Sequence, residues 1–461
     1  MMILVILLLA SCSTTVLSLA VPVSQNAASL RDTQFPRTWV PIASTFELDP
    51  DRPTPVEFLE QKYVAYRDNS ENWVVMDDVC PHRFAPLSEG RVDRNADTIQ
   101  CSYHGWEFDS KGTCVGIPQL TKEAEKSATS LKRSCASSYP CTVEKNVLWI
   151  WPWEEDVLSV VGDPLAHPEG MLESIFDNPS TYTRDLPYGW DTLMENLIDP
   201  AHIPFAHHNL QGKRTDAIPI NMTVPSDQGV HGFTYKWEDR TMGMMRTGDA
   251  MYRAPFLVDY NGKFMTEGNK PFRLSVICIP TKPGWSRAII FSPGGGNNQE
   301  MKAKTTWKGK LFRMIPVWLS HQFSNIFFDS DLAFLHFQEQ VRVNSDRDYY
   351  MPAPADRCVS ALRKWLSTYT NSTQSLPPPL PRSVMFDRWT QHTSHCKHCQ
   401  EGLAKMKKYR RSTYAALALS IFGIKFRLAK VTTLLCLGIL RLMQKLENSF
   451  RVGEYKHYEN H

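Results

Sequence analysis

An α+β fold is predicted, with an all-β unit over 35–155, a mixed unit over 163–370 and a helical tail after residue 400. Three observations predict it. Short β-branched and aromatic runs separated by turn residues fill the first unit, helix- and strand-compatible segments are mixed in the second, and apolar stretches flanked by cations close the chain. At 461 residues, 42% hydrophobic and 11% aromatic, the chain can bury a sizeable core. Its 51 basic and 48 acidic residues leave a net charge of +3, so there is no electrostatic case for nucleic-acid binding.

Residues 1–34 are read as a signal and transit segment outside the fold. An apolar run from Met2 to Ala10, then Ser11, Cys12 and Ser13, has the shape of a cleavable secretory signal and is too short to span a bilayer. The following stretch is rich in Ser, Ala and Asn and has few acids, as a transit segment has. Signal plus transit fits a plastid reached by a secretory-type route, and an ordinary secretory signal is the alternative.

In the β-rich unit, Tyr63-Val64-Ala65-Tyr66 and Trp73-Val74-Val75-Met76 read as strands, and Val147 to Pro152 closes the unit because proline cannot continue a central strand. In the mixed unit, Asp191 to Ile198 and Trp307 to Phe328 read as helices, and Phe272 to Ile279 and Ser286 to Ser292 as strands. Gly294, Gly295 and Gly296 form a loop rather than a phosphate cradle, since no G-K-[ST] follows. Pro377, Pro378, Pro379 and Pro381 stiffen a linker within 371–400, and 401–461 form the tail.

The eleven cysteines are odd in number, irregularly spaced and often beside histidines, which points to metal ligation in a reducing compartment rather than to disulfides. Cys80-Pro81-His82 and Cys101-Ser102-Tyr103-His104 make a C-x-H, eighteen-residue spacer, C-x-x-H pattern. A Rieske [2Fe-2S] cluster needs two thiolates on one iron and two imidazoles on the other, so each of two loops must bring one of each. Imidazole ligands place its potential at roughly −150 to +300 mV. A structural zinc site is the alternative. Cys114, Cys135 and Cys141 read as buried small hydrophobes, and Cys114 and Pro118 as part of a loop covering the cluster.

A second set follows about a hundred residues later. His202 and His207 lie five apart in Glu195-Asn196-Leu197-Ile198-Asp199-Pro200-Ala201-His202 and onward to His207. Dioxygen activation at Fe(II) uses two imidazoles and one carboxylate on one face, leaving positions open. Asp331 is the expected carboxylate, with Asp329 as the alternative. Asp199 is read as a carboxylate that hydrogen-bonds a metal-bound imidazole, and Asn196 as a neighbour that approaches the iron without binding it.

With these residues, Asp78 to Arg83, Leu87 to Gly90, Cys101 to Trp106 and Glu195 to His208, the sequence resembles the Rieske non-haem iron oxygenase family over roughly Phe35 to Glu339. It is most similar to the plastid subgroup that contains pheophorbide a oxygenase. The resemblance implies a helix-grip catalytic domain, mononuclear Fe(II), a ferredoxin donor, dioxygen, and an apolar chlorophyll-type tetrapyrrole as substrate. It also implies a homotrimer in which His104 of one subunit passes an electron through Asp199 of its neighbour to His202. Pheophorbide a is the first candidate; protochlorophyllide or chlorophyllide, a sterol substrate, and a non-catalytic translocon-associated Rieske protein are the alternatives.

The segment from Asp387 to Cys399 also looks like that subgroup. Its Cys396 and Cys399 read as a candidate redox switch for thioredoxin, with a zinc half-site using His395 or His398, or two inert thiols, as alternatives. The Met242, Met244, Met245 and Met251 cluster reads either as pocket lining or as core filling. In the tail, the apolar runs Tyr414 to Ile424 and Val431 to Leu440 are each shorter than the roughly twenty residues of a spanning helix. A membrane-associated interfacial hairpin is expected there, with an amphipathic helix packed on its own domain as the alternative.

Overall fold

The computed structural model describes residues 35–153, 167–177, 179–224, 229–266, 268, 271–292, 315–345, 347–370, 376–422 and 427–460. The signal and transit readings, the glycine-rich loop at 294–296 and the Trp307 start of the expected helix lie outside these residues.

The first unit is built of β1 (Val40–Ser44), β2 (Thr54–Phe58), β3 (Gln61–Arg67), β4 (Trp73–Asp77), β5 (Arg91–Asp93), β6 (Thr98–Gln100), β7 (Glu107–Phe108), β8 (Cys114–Gly116), β9 (Ser138–Tyr139), β10 (Cys141–Glu144) and β11 (Val147–Ile150). They form three small antiparallel sheets: β1-β11-β10, β2-β3-β4-β9 and β5-β6-β7-β8. In β3 and β4 the two-residue period of a strand serves two cores at once. Tyr63, Ala65, Trp73 and Val75 enter one, whereas Val64, Tyr66, Val74 and Met76 enter another together with Cys80 and Cys101. Of the cysteines read as buried, Cys114 is buried, while Cys135 and Cys141 are half-buried because they sit at the margin of these small sheets.

The second unit is a six-stranded antiparallel sheet in the order β12-β17-β16-β15-β14-β13. Its strands are β12 (Ser180–Leu186), β13 (Gly232–Thr241), β14 (Met244–Arg253), β15 (Leu257–Phe264), β16 (Pro271–Pro280) and β17 (Ser286–Ser292). Alternation again divides the residues. Ile277, Ile279, Ile289 and Phe291 pack into the core shared with β1 and β11, joining the two units. Val276, Cys278, Ala288, Tyr235, Trp237 and Tyr260 face the helices Trp190–Leu197, Val317–Asn344 and Arg357–Tyr369. The long helix continues to Asn344, well past the expected end at Phe328, because Leu332 and Leu335 keep facing that core.

After the proline segment, which packs on the long helix through Leu380 N–H to His336 Nε2 at 3.0 Å, the chain forms a π-helical turn, Trp389–Thr393. Two helices then pair as a hairpin, Lys397–Phe422 and Arg427–Ser449. The first crosses the boundary drawn at residue 400, since its N-terminal turns bury Cys399 and Leu403 in a small core with Phe450. Among the described residues, no helix is long and apolar enough to cross a membrane.

Candidate functional site

The two Cys/His loops have matched backbones. Cys80 N–H donates to the Ala85 carbonyl at 2.8 Å and Phe84 N–H to the Cys80 carbonyl at 2.9 Å; Cys101 N–H donates to Trp106 at 2.8 Å and Gly105 N–H to Cys101 at 2.9 Å. Each loop turns through a left-handed residue, Phe84 at φ 61° and Gly105 at φ 76°. A side chain at 105 would also stand 3.1 Å from Pro118, which lies over this loop, and Gln119 Nε2 holds the His104 carbonyl at 2.7 Å. The Asp78 carboxylate accepts from Ser88 N–H and Oγ at 2.6 and 2.7 Å, bracing the first loop.

These loops place Cys80 and Cys101 in the core and bring the His82 and His104 rings to 4.5 Å between centroids. Trp106 stacks on His82 at 4.7 Å. Two features fit a cluster. His82 Nδ1 is buried without a hydrogen-bond partner, and burial, then the nearby His104, lowers its pKa, favouring the neutral imidazole that ligates metal. Phe84 and Tyr103 remain exposed, at 79% and 61%, on the loops beside the histidines.

The second set is assembled by three elements. Helix Trp190–Leu197 ends before Asp199, whose Oδ1 caps the turn Pro200–His202 by accepting from Ala201 N–H at 2.8 Å, with Pro200 as the first helical residue. Helix Ile203–Ala206 then returns His207 to face His202. The two Nε2 atoms are 3.2 Å apart, and His207 Nε2 is 3.3 Å from Asp331 Oδ2 on the long helix. The opposite ring nitrogens are fixed. His202 Nδ1–H donates to the Asp199 carbonyl at 2.5 Å, and His207 Nδ1–H to Ser330 Oγ at 2.7 Å, whose own proton goes to Phe327 O. With both Nδ1–H groups so engaged, the two Nε2 atoms face each other and the Asp331 carboxylate, as the donor atoms of a metal site do. Burial opposes a charge on His202, but its Asp199 hydrogen bond and the Asp331 and Asp199 carboxylates outweigh it and push the imidazole up to about 9. A metal must displace that proton.

Asp329 does not belong to this set. It is fully buried between Arg184 and Arg388, each at 2.6 Å, because two residues along a helix point to different sides. Asp199 meets His202 Nδ1 through its backbone carbonyl, and its nearest carboxylate oxygen stands 3.7 Å from the same nitrogen. Asn196 Nδ2 lies 3.4 Å from His202 Nε2. Ser330 went unnoticed in the sequence, although it directly precedes the carboxylate.

Beside His202 opens a cavity of about 440 Å³, within the roughly 300–1,000 Å³ of ligand sites. Trp237, Tyr260, Phe272, Phe323 and Phe327 make its walls largely apolar, and a buried Asp239–Arg246 pair is part of its polar lining. None of Met242, Met244, Met245 and Met251 lines it; Met242 sits 55% exposed at the β13–β14 turn. Across His202, Asp199, Phe205, Asp331 and Tyr350 border a wider recess.

Cys396 and Cys399 are buried, at 5% and 0% exposure, and all ten described cysteines are free thiols. Their imidazole neighbours are His321 and His392, not the expected His395 or His398. The reason is geometric: His392 occupies the π-turn facing β12 with its Nε2 3.3 Å from Cys399 Sγ, whereas the His395 ring lies beside Ser394.

Comparison with known proteins agrees with these arrangements. Residues 38–140 match the Rieske [2Fe-2S] domain family, and 252–348 match the family described as Pheophorbide a oxygenase. The chain is 32% identical to the chloroplastic pheophorbide a oxygenase of Oryza sativa over 91% of its own length and 84% of the relative's. It is also 32% identical to the chloroplastic flavonoid 8-hydroxylase 2 of Ocimum basilicum over 78% and 72% of the two chains. Crystalline dicamba monooxygenase bound to 3,6-dichlorosalicylic acid shares the fold, with a TM-score of 0.53 at 19% identity over 72% of this chain and 97% of that one. A Rieske domain, a separate imidazole–carboxylate site and this degree of likeness place the chain in the Rieske oxygenase family, within the group that contains pheophorbide a oxygenase.

Proposed function

We propose that the protein oxygenates a chlorophyll-type tetrapyrrole, with pheophorbide a as the first candidate, using dioxygen and electrons from a ferredoxin. One observation carries this reading: two imidazoles and a carboxylate converge where an apolar cavity ends at His202. In it, Cys80, His82, Cys101 and His104 hold the [2Fe-2S] cluster, and His202, His207 and Asp331 hold mononuclear Fe(II). A ferrous ion there supplies dioxygen activation, because three protein ligands leave coordination positions open. The chain's own residues do the rest. Ser330 and the Asp199 carbonyl orient the two imidazoles, the aromatic walls exclude water and bind an apolar ring system, and Asn196 lies beside His202 without a charge of its own.

The names of the relatives support two substrate classes, a tetrapyrrole at 32–35% identity and a flavonoid at 32%. The tetrapyrrole is preferred because the family match over 252–348, which includes Asp331, carries that name. The recess bordered by Asp199, Phe205 and Tyr350 suits the exposed loops carrying Phe84 and Tyr103 in a partner subunit, so electrons cross between subunits of a trimer by way of Asp199. A plastid location and a membrane-facing C-terminal hairpin complete the reading. The hairpin's distal half exposes Phe422, Leu428, Leu434 and Leu435, as an interfacial anchor does.

Incubation with ferredoxin, its reductase and ¹⁸O-labelled dioxygen tests the proposal. It predicts label in the product from pheophorbide a, and none with a flavonoid, protochlorophyllide or a sterol. Label in the flavonoid alone transfers the substrate assignment to that class, and oxygen consumption with none of them rejects both.

A further inference from the structure

The long helix carries a second group of metal donors, centred on His321, about 15 Å along its axis from Asp331. We propose that His321, His392, Cys396 and Cys399 hold a structural zinc ion. Their ligand atoms all lie within 4.8 Å of one another, and all four residues are buried.

The distances fit a tetrahedron. Zinc–sulfur bonds of about 2.3 Å and zinc–nitrogen bonds of about 2.0–2.1 Å place neighbouring S and N ligands roughly 3.5 Å apart. His321 Nδ1 is 3.3 Å from Cys396 Sγ and 3.7 Å from Cys399 Sγ, and His392 Nε2 is 3.3 Å from Cys399 Sγ. His392 is also oriented for ligation. Its Nδ1–H donates to the Thr183 carbonyl on β12 at 2.6 Å, so the Nε2 lone pair faces the thiols. Tyr182 covers the group, its ring 5.1 Å from His321 and 4.6 Å from His392.

Charge and chemistry select the ion. Two thiolates cancel the charge of a divalent cation, so the filled site is neutral, as a buried site requires. Two sulfurs and two imidazole nitrogens suit zinc, and four protein ligands leave no position for substrate, which marks a structural role. On binding, each thiol gives its proton to solvent and the neutral imidazoles give none, so affinity rises with pH. The ligands come from the long helix, the π-turn and the start of the C-terminal hairpin, so one ion fastens the hairpin to the helix that carries Asp331. A π-turn in this position has a use: it brings His392 to the site. A dithiol switch, by contrast, needs thiols that a protein reductant can reach, and these are buried.

The test uses the full chain as purified, by elemental analysis and X-ray absorption at the zinc edge. About one zinc per chain is expected, with about two sulfur neighbours near 2.3 Å and about two nitrogens near 2.0 Å. The double variant Cys396→Ser/Cys399→Ser loses that zinc and keeps the Rieske electron-resonance signal, which separates this site from the iron sites and from the substrate question. Should the variant not fold, the wild-type absorption spectrum decides alone. Absence of zinc, a zinc shell without sulfur, or a Cys396–Cys399 disulfide in the purified protein overturns the proposal; the disulfide favours the redox switch.

Discussion

The long helix presents Asp331 to a trio of ligands and His321 to a quartet, and the two groups differ in what surrounds them. Around His202, His207 and Asp331 the donors occupy one side, and cavities open on either side of His202. Around His321, His392, Cys396 and Cys399 the donors close on one another beneath Tyr182. An incomplete set leaves room for reactants, whereas a complete set leaves none. On the two proposed assignments, the same helix serves chemistry at one point and attachment at another. Asp329 lies between them on the helix, and its buried bridges to Arg184 and Arg388 tie the helix to β12 and to the C-terminal segment.

Asp331→Ala breaks the comparison at its open end and has the largest expected effect on turnover. Loss of a residue that only hydrogen-bonds a metal ligand costs roughly 10–100-fold in affinity or activity, and loss of the ligand itself exceeds that. Labelled-product yield should fall to background while the Rieske spectrum is unchanged. Ser330→Ala comes next. It removes the acceptor that fixes the His207 tautomer, and turnover or ferrous affinity is expected to fall by about 10–100-fold, with partial recovery in Ser330→Thr.

Removal of zinc by the Cys396→Ser/Cys399→Ser substitution acts at the closed end. It should lower the thermal midpoint and speed proteolysis within 397–449, and leave the mononuclear iron in place in protein kept folded. Loss of iron in parallel with zinc would show that the two groups are not independent.

The smallest effect concerns Glu339, which lies on the same helix and accepts from Gly189 N–H at 2.9 Å. Burial, reinforced by the Asp191 charge, raises its carboxyl to about 7. A carboxyl held neutral in the fold contributes stability that is complete below its ordinary pKa of about 4.3 and is lost as pH rises through the folded value. Glu339→Gln keeps an acceptor and cannot ionise. The variant should show a flatter thermal midpoint between about pH 5 and about pH 8 than the wild type, and a parallel decline in both proteins would remove Glu339 as the cause.

How much of this could be read from the chain depended on how far apart the partners lie. Cys80, His82, Cys101 and His104 were legible because each loop supplies a thiol and an imidazole within four residues. The strand at Trp73 to Met76 and the helix at Asp191 to Ile198 were legible from local pattern. Asp331 and Asp329 could not be separated, because helix rotation decides between them and the arginines that occupy Asp329 come from distant segments, at 184 and 388. His321 was hidden for the same reason: it lies 75 residues before Cys396 in a helix-compatible stretch. A local signal did exist in the H-x-x-x-C-x-x-C spacing of His392, Cys396 and Cys399. The role of the Asp199 backbone carbonyl was beyond reach, since sequence shows side chains and not which backbone groups a turn exposes.

The account rests on the trio at His202, His207 and Asp331 holding an iron apart from the cluster. Mössbauer spectroscopy of anaerobically prepared, ⁵⁷Fe-loaded protein tests this most directly. The predicted spectrum shows a Rieske pair plus about one further high-spin ferrous ion per chain, and the ferrous component disappears in His207→Ala while the pair remains. A spectrum with the pair alone, or a ferrous component that persists in His207→Ala, would contradict it.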